Sequence, residues 1–462
     1  MTEPMTEPTT GPTTPIDPRP APVGVRAWLT PQRVWIAIVG ASLVLFVVIG
    51  RDQWFVRDDW AFVLTRPTMR EQLGVADWLF TAQDGHWMTP PLLVFAAIQG
   101  VVGIDVYWPY LAANMALHLA AVLLLHRLCT RAGVSRWTTV LVCSLMLLFG
   151  SGWENVVFAV QVTYNLSLVA FFAHLLLVDH DGPVGRRDAI GAVVGIVGVS
   201  SSAFGPFYAA AVFAVLAWRR RWTAAAVAVG PQALIYSWWL FTWGSDPAGE
   251  SGDASATGAV RFARLALTAT FNAMTWQILF AGAAVLGIAV VVFLTPLDRR
   301  TRSLVTVLAV LPLPVLLAIG WQRAAFGLDS AASPRYLYMS AMALAVPFGL
   351  AIDQLRRLDR RALVVGRVIV ALALASNVRL LVNASGDWAD RSADARRAFE
   401  LVAGSPDVAT ADPGLVIVAF DPDVRVGRLP QLVAEGAITP RVPTTPDELA
   451  LVERVLAGTP LP

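Results

Sequence analysis

Two adjacent carboxylates follow the first long apolar run of the chain. The run covers residues 33–50, and Arg57-Asp58-Asp59-Trp60 comes shortly after it. Two carboxylates at the edge of an apolar phase need water, a cation or a partner, because burial penalises their charge. A carboxylate there can act as a general base toward a hydroxyl, or hold a divalent metal beside a phosphate. The alternative is a solvated loop start that caps a helix.

The same loop carries a histidine. It reads Asp84-Gly85-His86-Trp87-Met88-Thr89-Pro90-Pro91 before the next apolar run. His86 can donate a hydrogen bond to a phosphate or bind a sugar, and its alternative is a hydrogen bond within the loop. Trp87 is typical of an aromatic anchor at a membrane interface.

Three further charged residues stand in later turns. Glu154 lies in Gly152-Trp153-Glu154-Asn155, Arg323 follows a long apolar run, and Arg335 precedes Tyr336 in Ser333-Pro334-Arg335-Tyr336. The guanidinium fork of arginine fits phosphate, so both arginines are candidates for phosphate binding. Their alternative is snorkelling toward lipid headgroups.

Two amides in one apolar run invite a plainer interpretation. Gln161 and Asn165 are four residues apart and share one helix face. They could line a polar cavity, but we interpret each of them as making hydrogen bonds to a neighbouring helix.

Composition restricts the class of protein. The chain has 462 residues, 56% of them hydrophobic and 15% charged, with a mean hydropathy of +0.60. Soluble proteins carry about 25% charged residues, so a water-soluble enzyme is excluded. The net charge of +2 indicates no nucleic-acid partner, and two cysteines and five scattered histidines predict neither a disulfide framework nor a metal site. We predict an all-α polytopic membrane protein.

About 11 transmembrane helices are predicted from the apolar runs. The predicted spans are residues 33–50, 107–126, 137–150, 157–178, 189–202, 205–218, 222–243, 265–294, 303–320, 335–353 and 364–382. The 265–294 run is long enough for an interfacial piece followed by a span. Arginine clusters stand between alternate spans, at residues 127–136, 186–187, 219–221, 299–302 and 356–361. The positive-inside rule therefore places all five in the cytoplasm.

The run at 90–103 decides this topology. A full span there would turn every arginine cluster outward, whereas an interfacial or re-entrant helix keeps them inside. The run has 14 residues, about 21 Å at 1.5 Å per residue, and it opens with Pro90-Pro91. We predict that it lies in a large first outer loop, residues 51–106. The N-terminus is then cytoplasmic and the C-terminus extracytoplasmic, in a bacterial cytoplasmic membrane.

The chain divides into three parts by composition. Residues 1–31, rich in Pro and Thr, predict a disordered cytoplasmic tail. Residues 32–382 form the transmembrane domain. Residues 383–462 predict a small soluble αβ appendage outside the membrane, with a strand at 414–420 and helices near 390–402 and 446–456.

These motifs together resemble the GT-C superfamily of polytopic glycosyltransferases, which use polyprenyl-phosphate sugars. The resemblance, closest to mannosyltransferases and arabinofuranosyltransferases, covers roughly residues 33–380. It rests on the acidic pair after the first span, the Gly-His-x-x-Pro-like segment at 85–91, the Trp153-Glu154-Asn155 turn and Arg335-Tyr336.

The resemblance implies an inverting transfer from a polyprenyl-phosphate sugar to a hydroxyl of a glycan, lipid or protein acceptor, at the outer face of the membrane. Asp58 would be the general base, and Asp59 would orient it or bind a metal. Arg335 and His86 would stabilise the leaving phosphate. The remaining substrate-binding candidates are Arg57, Glu154, Arg323 and Tyr336. Mg²⁺ or Mn²⁺ is optional, because the leaving phosphate is already ionised.

Two other functions remain open. A transporter or flippase of lipid-linked or small polar substrates is the main alternative, although charges are nearly absent from mid-membrane positions. A scaffold whose C-terminal appendage binds an envelope protein is the other.

Overall fold

The apolar runs of the sequence fold into helices. The structure, a computed structural model, describes residues 30–244 and 255–462, so the predicted N-terminal tail lies almost entirely outside the described residues. In these two ranges the regular structure is helical and the only β features are isolated bridges. The predicted all-α polytopic class is confirmed.

The first half of the chain contains the helices that surround the first loop. A π-helical stretch at Ala61–Thr65 joins α2 to α3, so residues 58–73 form one continuous helical segment. The bounds are α1 Pro31–Gly50, α2 Asp58–Trp60, α3 Arg66–Leu73, α4 Val75–Phe80, α5 Thr89–Val102, α6 Trp108–Arg131, α7 Arg136–Leu147, α8 Glu154–Val157, α9 Val162–Val178, α10 Arg186–Val199, α11 Gly205–Trp218 and α12 Trp222–Thr242.

The second half continues the bundle and ends in residues 383–462, which we call the C-terminal segment. Its helices are α13 Ala256–Thr275, α14 Ile278–Phe293, α15 Arg299–Val310, α16 Pro312–Arg323, α17 Pro334–Leu358, α18 Arg360–Ala403, α19 Leu429–Ala434 and α20 Pro446–Leu456. Helix α17 is the centre of the bundle, since 94% of its most apolar stretch is buried within the protein.

Every predicted span falls on a helix, but not every one is long enough to cross a bilayer alone. Seven helices in the described ranges have the length and hydropathy of a span, and a bent pair makes eight. The predicted spans 137–150, 189–202 and 205–218 fall on helices of 12, 14 and 14 residues. Fourteen residues extend about 21 Å, less than a hydrocarbon core of about 30 Å. The expected number of 11 is therefore not confirmed.

The first loop leaves and re-enters the bundle at the same end. A side chain added at Gly50, the last residue of α1, would strike Trp108 and Leu111, at the start of α6. Between them, α5 has 14 residues, and Gln99 of α5 donates to the Val63 carbonyl of the loop at 3.1 Å. Since α1 ends where α6 begins, residues 51–107 do not cross the bundle. We call this end of the bundle the cavity end, because the cavity described in the next section opens there.

The opposite end is fastened by an ion-pair network, and we call it the arginine end. Asp179, at the end of α9, is 5% exposed. Its carboxylate pairs with Arg131 at 2.9 Å, Arg219 at 2.9 Å and Arg300 at 2.6 Å. These arginines come from α6, the end of α11 and α15, so one carboxylate joins four elements.

The 265–294 run divides at a sharp corner. Helices α13 and α14 meet at 99°, and Trp276 between them has a φ of 71°, in the left-handed region. Helix α13 also starts at Ala256, nine residues before the predicted run. The expected interfacial piece followed by a span is, in the structure, two helices of 20 and 16 residues.

The C-terminal segment differs from the predicted αβ appendage. Helix α18 continues for 44 residues through position 382, about 66 Å, so the last apolar helix and the predicted helix at 390–402 are one element. Helix α20 is present at Pro446–Leu456. The strand at 414–420 was wrong: Val416 and Val418 form isolated bridges to Arg425 and Leu461, because no neighbouring extended chain pairs along the run.

Candidate active site

A cavity of about 340 Å³ opens at the cavity end of the bundle. Five of the predicted site residues line it: Asp58, His86, Arg323, Arg335 and Tyr336. They come from the first loop and, more than 200 residues later in the sequence, from the end of α16 and the start of α17. With Asp84, which also lines it, the fold gathers two carboxylates, a histidine and two guanidiniums around one space.

Asp58 is one of two carboxylates that line the cavity, the other being Asp84. It is the first residue of the helical segment 58–73 and is half-buried. Burial raises its pKa, the charge of Arg57 opposes that rise, and the charge of Asp84 adds to it. A raised pKa suits a carboxylate that must accept a proton near neutral pH.

Asp59 points away from the cavity into the protein. It is fully buried, and its Oδ1 accepts from the Val160 amide at 2.8 Å. Its Oδ2 accepts from the Tyr107 hydroxyl at 3.0 Å and the Val56 amide at 3.4 Å. Burial raises the pKa of Asp59 strongly, against these hydrogen bonds. One side chain therefore ties the first loop to α6 and to the turn before α9.

The donor set around Asp59 does not fit a divalent metal. Both of its oxygens already accept from protein donors, and within residues 30–244 and 255–462 no three His, Cys, Asp or Glu side chains converge as metal ligands do. We therefore interpret Asp59 as a residue that positions its neighbour Asp58.

A tight turn places His86 at the cavity. Gln83 and His86 exchange backbone hydrogen bonds of 2.9 Å, and the two residues between them, Asp84 and Gly85, have φ values of 49° and 74°. Asp-Gly is a favoured pair where both central residues of a turn need positive φ. The turn brings Gln83, Asp84, Gly85 and His86 to the cavity wall.

Glu154 lies next to Arg335, outside the cavity lining. The Arg335 Nε lies 3.8 Å from Glu154 Oε2, too far for a hydrogen bond, and neither atom has another protein partner. Burial raises the pKa of Glu154, while the charges of Arg335 and Arg57 oppose the rise. Glu154 is outside the cavity lining, so its contact with a ligand would pass through Arg335.

Arg57 is also outside the cavity lining. It precedes α2 with a φ of 49°, and its backbone amide donates to Asp421 of the C-terminal segment. Its guanidinium charge acts on both Asp58 and Glu154.

Two solved structures share this architecture. They are ArnT from Cupriavidus metallidurans bound to undecaprenyl phosphate, and the same protein in the apo state. The first has a TM-score of 0.54 and 13% identity, and covers 95% of this chain and 90% of that chain. The second has a TM-score of 0.53 and 14% identity, with 94% and 90% covered. This chain has the ArnT fold. No family model and no curated protein matches the sequence.

The ArnT fold agrees with the predicted resemblance to GT-C enzymes in fold, over nearly the whole chain. At 13% identity it carries no residue roles, so the chemistry must come from the side chains of this cavity. A carboxylate with a raised pKa can take a proton, and two arginines can bind a phosphate.

For Gln161 the structure favours the alternative interpretation, a polar group that lines the cavity. Gln161 lines the cavity and is 1% exposed, yet its Nε2 has no protein partner. Its Oε1 accepts a long hydrogen bond of 3.5 Å from Asn155. Asn165 makes the expected interhelical hydrogen bond, donating to Asn114 of α6 at 2.7 Å, and it also donates to the Asn155 carbonyl at 2.8 Å. The Gln161 amide is left for a ligand.

Proposed function

We propose that this chain is an inverting glycosyltransferase that moves a sugar from a polyprenyl-phosphate donor to an acceptor hydroxyl. The observation that supports it is the meeting of Asp58 with Arg323, Arg335 and His86 in one cavity. The ArnT structure of the same fold binds undecaprenyl phosphate, which supports a lipid phosphate as the donor.

The reaction is a single displacement. Asp58 accepts the proton of the acceptor hydroxyl, and the hydroxyl oxygen forms a bond to the anomeric carbon of the sugar. The bond between that carbon and the phosphate oxygen breaks, and its electron pair leaves with the polyprenyl phosphate. One base suffices for inversion, whereas retention needs a second, closely placed nucleophile.

The remaining side chains bind and stabilise. Arg323 and Arg335 would hold the phosphate, whose negative charge grows as the sugar leaves. His86 would donate to the same group. Aromatic side chains on the wall, including Tyr164, Phe204 and Tyr236, offer faces for a sugar ring or a prenyl tail. All steps use side chains of this chain alone.

Asp58→Asn tests the proposal. The variant keeps size and removes the base, so transfer should fall by roughly 100-fold or more. Release of undecaprenyl phosphate from undecaprenyl-phosphate mannose and undecaprenyl-phosphate arabinofuranose, read by mass spectrometry, measures it. Complementation of a deletion strain measures it independently of the donor chosen. The matched control is Asp52→Asn, an exposed aspartate of the same loop paired with Arg51.

Membrane lipid extracts of the deletion strain test the reaction class. Loss of a transferase should leave a polyprenyl-phosphate sugar accumulated and an envelope glycan shortened. Full activity of Asp58→Asn would remove the assignment of the base. Counterflow of a lipid-linked sugar in liposomes without a covalent product would favour a flippase instead.

Sidedness is part of the same proposal. We place the cavity end outside a bacterial cytoplasmic membrane, because the arginine clusters stand at the opposite end. A cysteine introduced at position 52 should react with a membrane-impermeant thiol reagent added to intact spheroplasts. Labelling only after lysis would reverse the orientation and with it the proposed site of the reaction.

A further inference from the structure

The C-terminal segment reaches back to the loop that carries the acidic pair. Asp421 and Asp423 flank Pro422 in a turn after the isolated bridge at Val418. Both carboxylates contact the stretch 57–65, more than 350 residues earlier in the chain. The charge of Asp58 adds to the rise in the pKa of both carboxyls that their burial causes.

Asp421 holds the residue immediately before Asp58. It is fully buried, and its Oδ1 accepts a hydrogen bond from the Arg57 backbone amide. Arg57 has a φ of 49° and a ψ of −124°, an unfavourable conformation for a residue with a Cβ, and such residues persist only where surrounding contacts hold them. The hydrogen bond from Arg57 to Asp421 is such a contact.

Asp423 holds the helical segment that follows. Its Oδ1 accepts from the Thr65 hydroxyl at 2.8 Å, at the end of the π-helical stretch. One turn further on, Arg428 donates to the Thr68 hydroxyl at 2.9 Å. The C-terminal segment therefore contacts the segment 57–68 at three points along its length.

Before the acidic pair, α18 holds the loop. Gln53 donates to the Ser385 carbonyl at 2.8 Å, and Trp54 packs against Phe399 with ring centroids 6.1 Å apart. The position of Asp58 is consequently set on both sides by residues after 383.

We propose that Asp421 and Asp423 are positioning residues that fix the backbone of residues 57–65 and thereby aim Asp58 at the cavity. The proposal rests on the proposed function for its consequence, the alignment of the base. Neither side chain lines the cavity, so neither is catalytic.

Two substitutions of Asp421 separate its hydrogen bond from its charge, and a third, at Thr65, tests the contact with Asp423. Asp421→Asn keeps an oxygen that can accept from the Arg57 amide, whereas Asp421→Ala removes it. Thr65→Val removes the hydroxyl that Asp423 accepts while keeping the side-chain shape. Hydrogen exchange of the full chain in nanodiscs should be roughly tenfold faster over residues 54–66 in Asp421→Ala and Thr65→Val, and unchanged in Asp421→Asn.

Complementation of the deletion strain reads the consequence. Asp421→Ala should lose roughly 90% of transfer at normal protein level, and Asp421→Asn should keep most of it, since a misaligned base costs about tenfold or more. Glu453→Ala, an exposed acidic residue on α20, is the control. Rescue by asparagine distinguishes positioning from a general loss of folding, as does faster exchange confined to 54–66.

The two proposals fail in different ways. If Asp58→Asn is inactive while Asp421→Ala exchanges and transfers like the native chain, the positioning role is wrong and the base stands. If Asp58→Asn is fully active, the assignment of Asp58 as the base is wrong. The hydrogen-exchange data then decide by themselves whether Asp421 and Asp423 hold residues 57–65. Equal disruption by Asp421→Ala and Asp421→Asn would also overturn the positioning role.

Discussion

The charges around Asp58 set the pH range over which it can accept a proton. Burial raises its pKa above the ordinary 3.8, Asp84 raises it further, and Arg57, Arg335 and Arg323 lower it. Only the ionised form is a base, so activity is lost as the pH falls through this raised pKa. The loss therefore begins at a higher pH than for an exposed aspartate.

Substitutions of opposite sign test this pH dependence. Asp84→Asn removes a negative charge, so the acid limb of the pH–rate profile should move to lower pH. Arg57→Gln removes the positive charge that lowers the pKa most, so the limb should move to higher pH. Measurement of kcat/KM for release of undecaprenyl phosphate between pH 4 and 8, about the range where a buried carboxyl titrates, provides the profile. Shifts of the same sign in both variants would contradict Asp58 as the titrating group.

Gln161 should contribute to binding more than to the chemical step. Its amide nitrogen is buried at the cavity wall without a protein partner. A hydrogen bond to a charged oxygen is worth about 1.5–3 kcal/mol, so Gln161→Leu should raise the KM for the lipid-phosphate sugar by roughly tenfold or more with a smaller change in kcat. Steady-state kinetics measures both constants. Gln322→Leu, an exposed residue on the same cavity, is the control, and an equal effect there would remove the assignment.

At the scale of single residues, the types of residue in the sequence indicated the candidate site, but not which of their side chains face the cavity. Asp58 and Asp59 are adjacent and chemically identical, yet one faces the cavity and the other is buried under three donors. The difference depends on Tyr107 and Val160, which only the fold brings to Asp59. Asn165 makes the expected interhelical hydrogen bond to Asn114, whereas Gln161 of the same run lies at the cavity wall.

At the scale of elements, hydropathy located the helices well and their ends poorly. Runs of apolar residues are local, so all the predicted spans lie on helices. The corner at Trp276 has no glycine or proline to mark it, although a left-handed conformation is uncommon for a residue with a Cβ. The length of α18 was equally hidden, since helix formation continues past the apolar stretch into polar sequence.

Close contacts between elements are likewise set by the fold. Gly150, before α8, lies so near α18 that an added Cβ would come within 2.0 Å of the Asn377 carbonyl oxygen. The side-chain amide of Asn377 spans the same contact, as its Oδ1 accepts from the Ser151 amide at 2.9 Å. A glycine in sequence indicates a turn or a close approach, but nothing in the sequence names the partner helix.

At the scale of the whole molecule, the two ends of the bundle have different structures. The cavity end holds buried polar atoms without a hydrogen-bond partner in the protein, such as Arg335 Nε and Gln161 Nε2. The arginine end joins four elements through Asp179. Burial raises the pKa of Asp179, but hydrogen bonds from Arg300 and Arg219 outweigh it and hold the pKa below its ordinary value. The carboxylate is therefore ionised and paired at neutral pH.

This asymmetry gives a test that separates the proposed transferase from an alternating-access carrier. A carrier must open both ends in turn, so the Asp179 network would be a gate, whereas in a transferase it only fastens the bundle. Asp179→Ala leaves three arginines without their carboxylate, which costs about 3 kcal/mol and should lower the melting temperature in detergent by roughly 5 °C. Asp181→Ala, whose carboxylate is 76% exposed and lies 3.7 Å from Arg300, is the control. If the protein is a transferase, the activity per folded molecule at about 25 °C should be unchanged in both variants. Faster passage of a fluorescent polyprenyl phosphate across liposomes containing Asp179→Ala would contradict the transferase, because only a gate speeds transport when it is weakened.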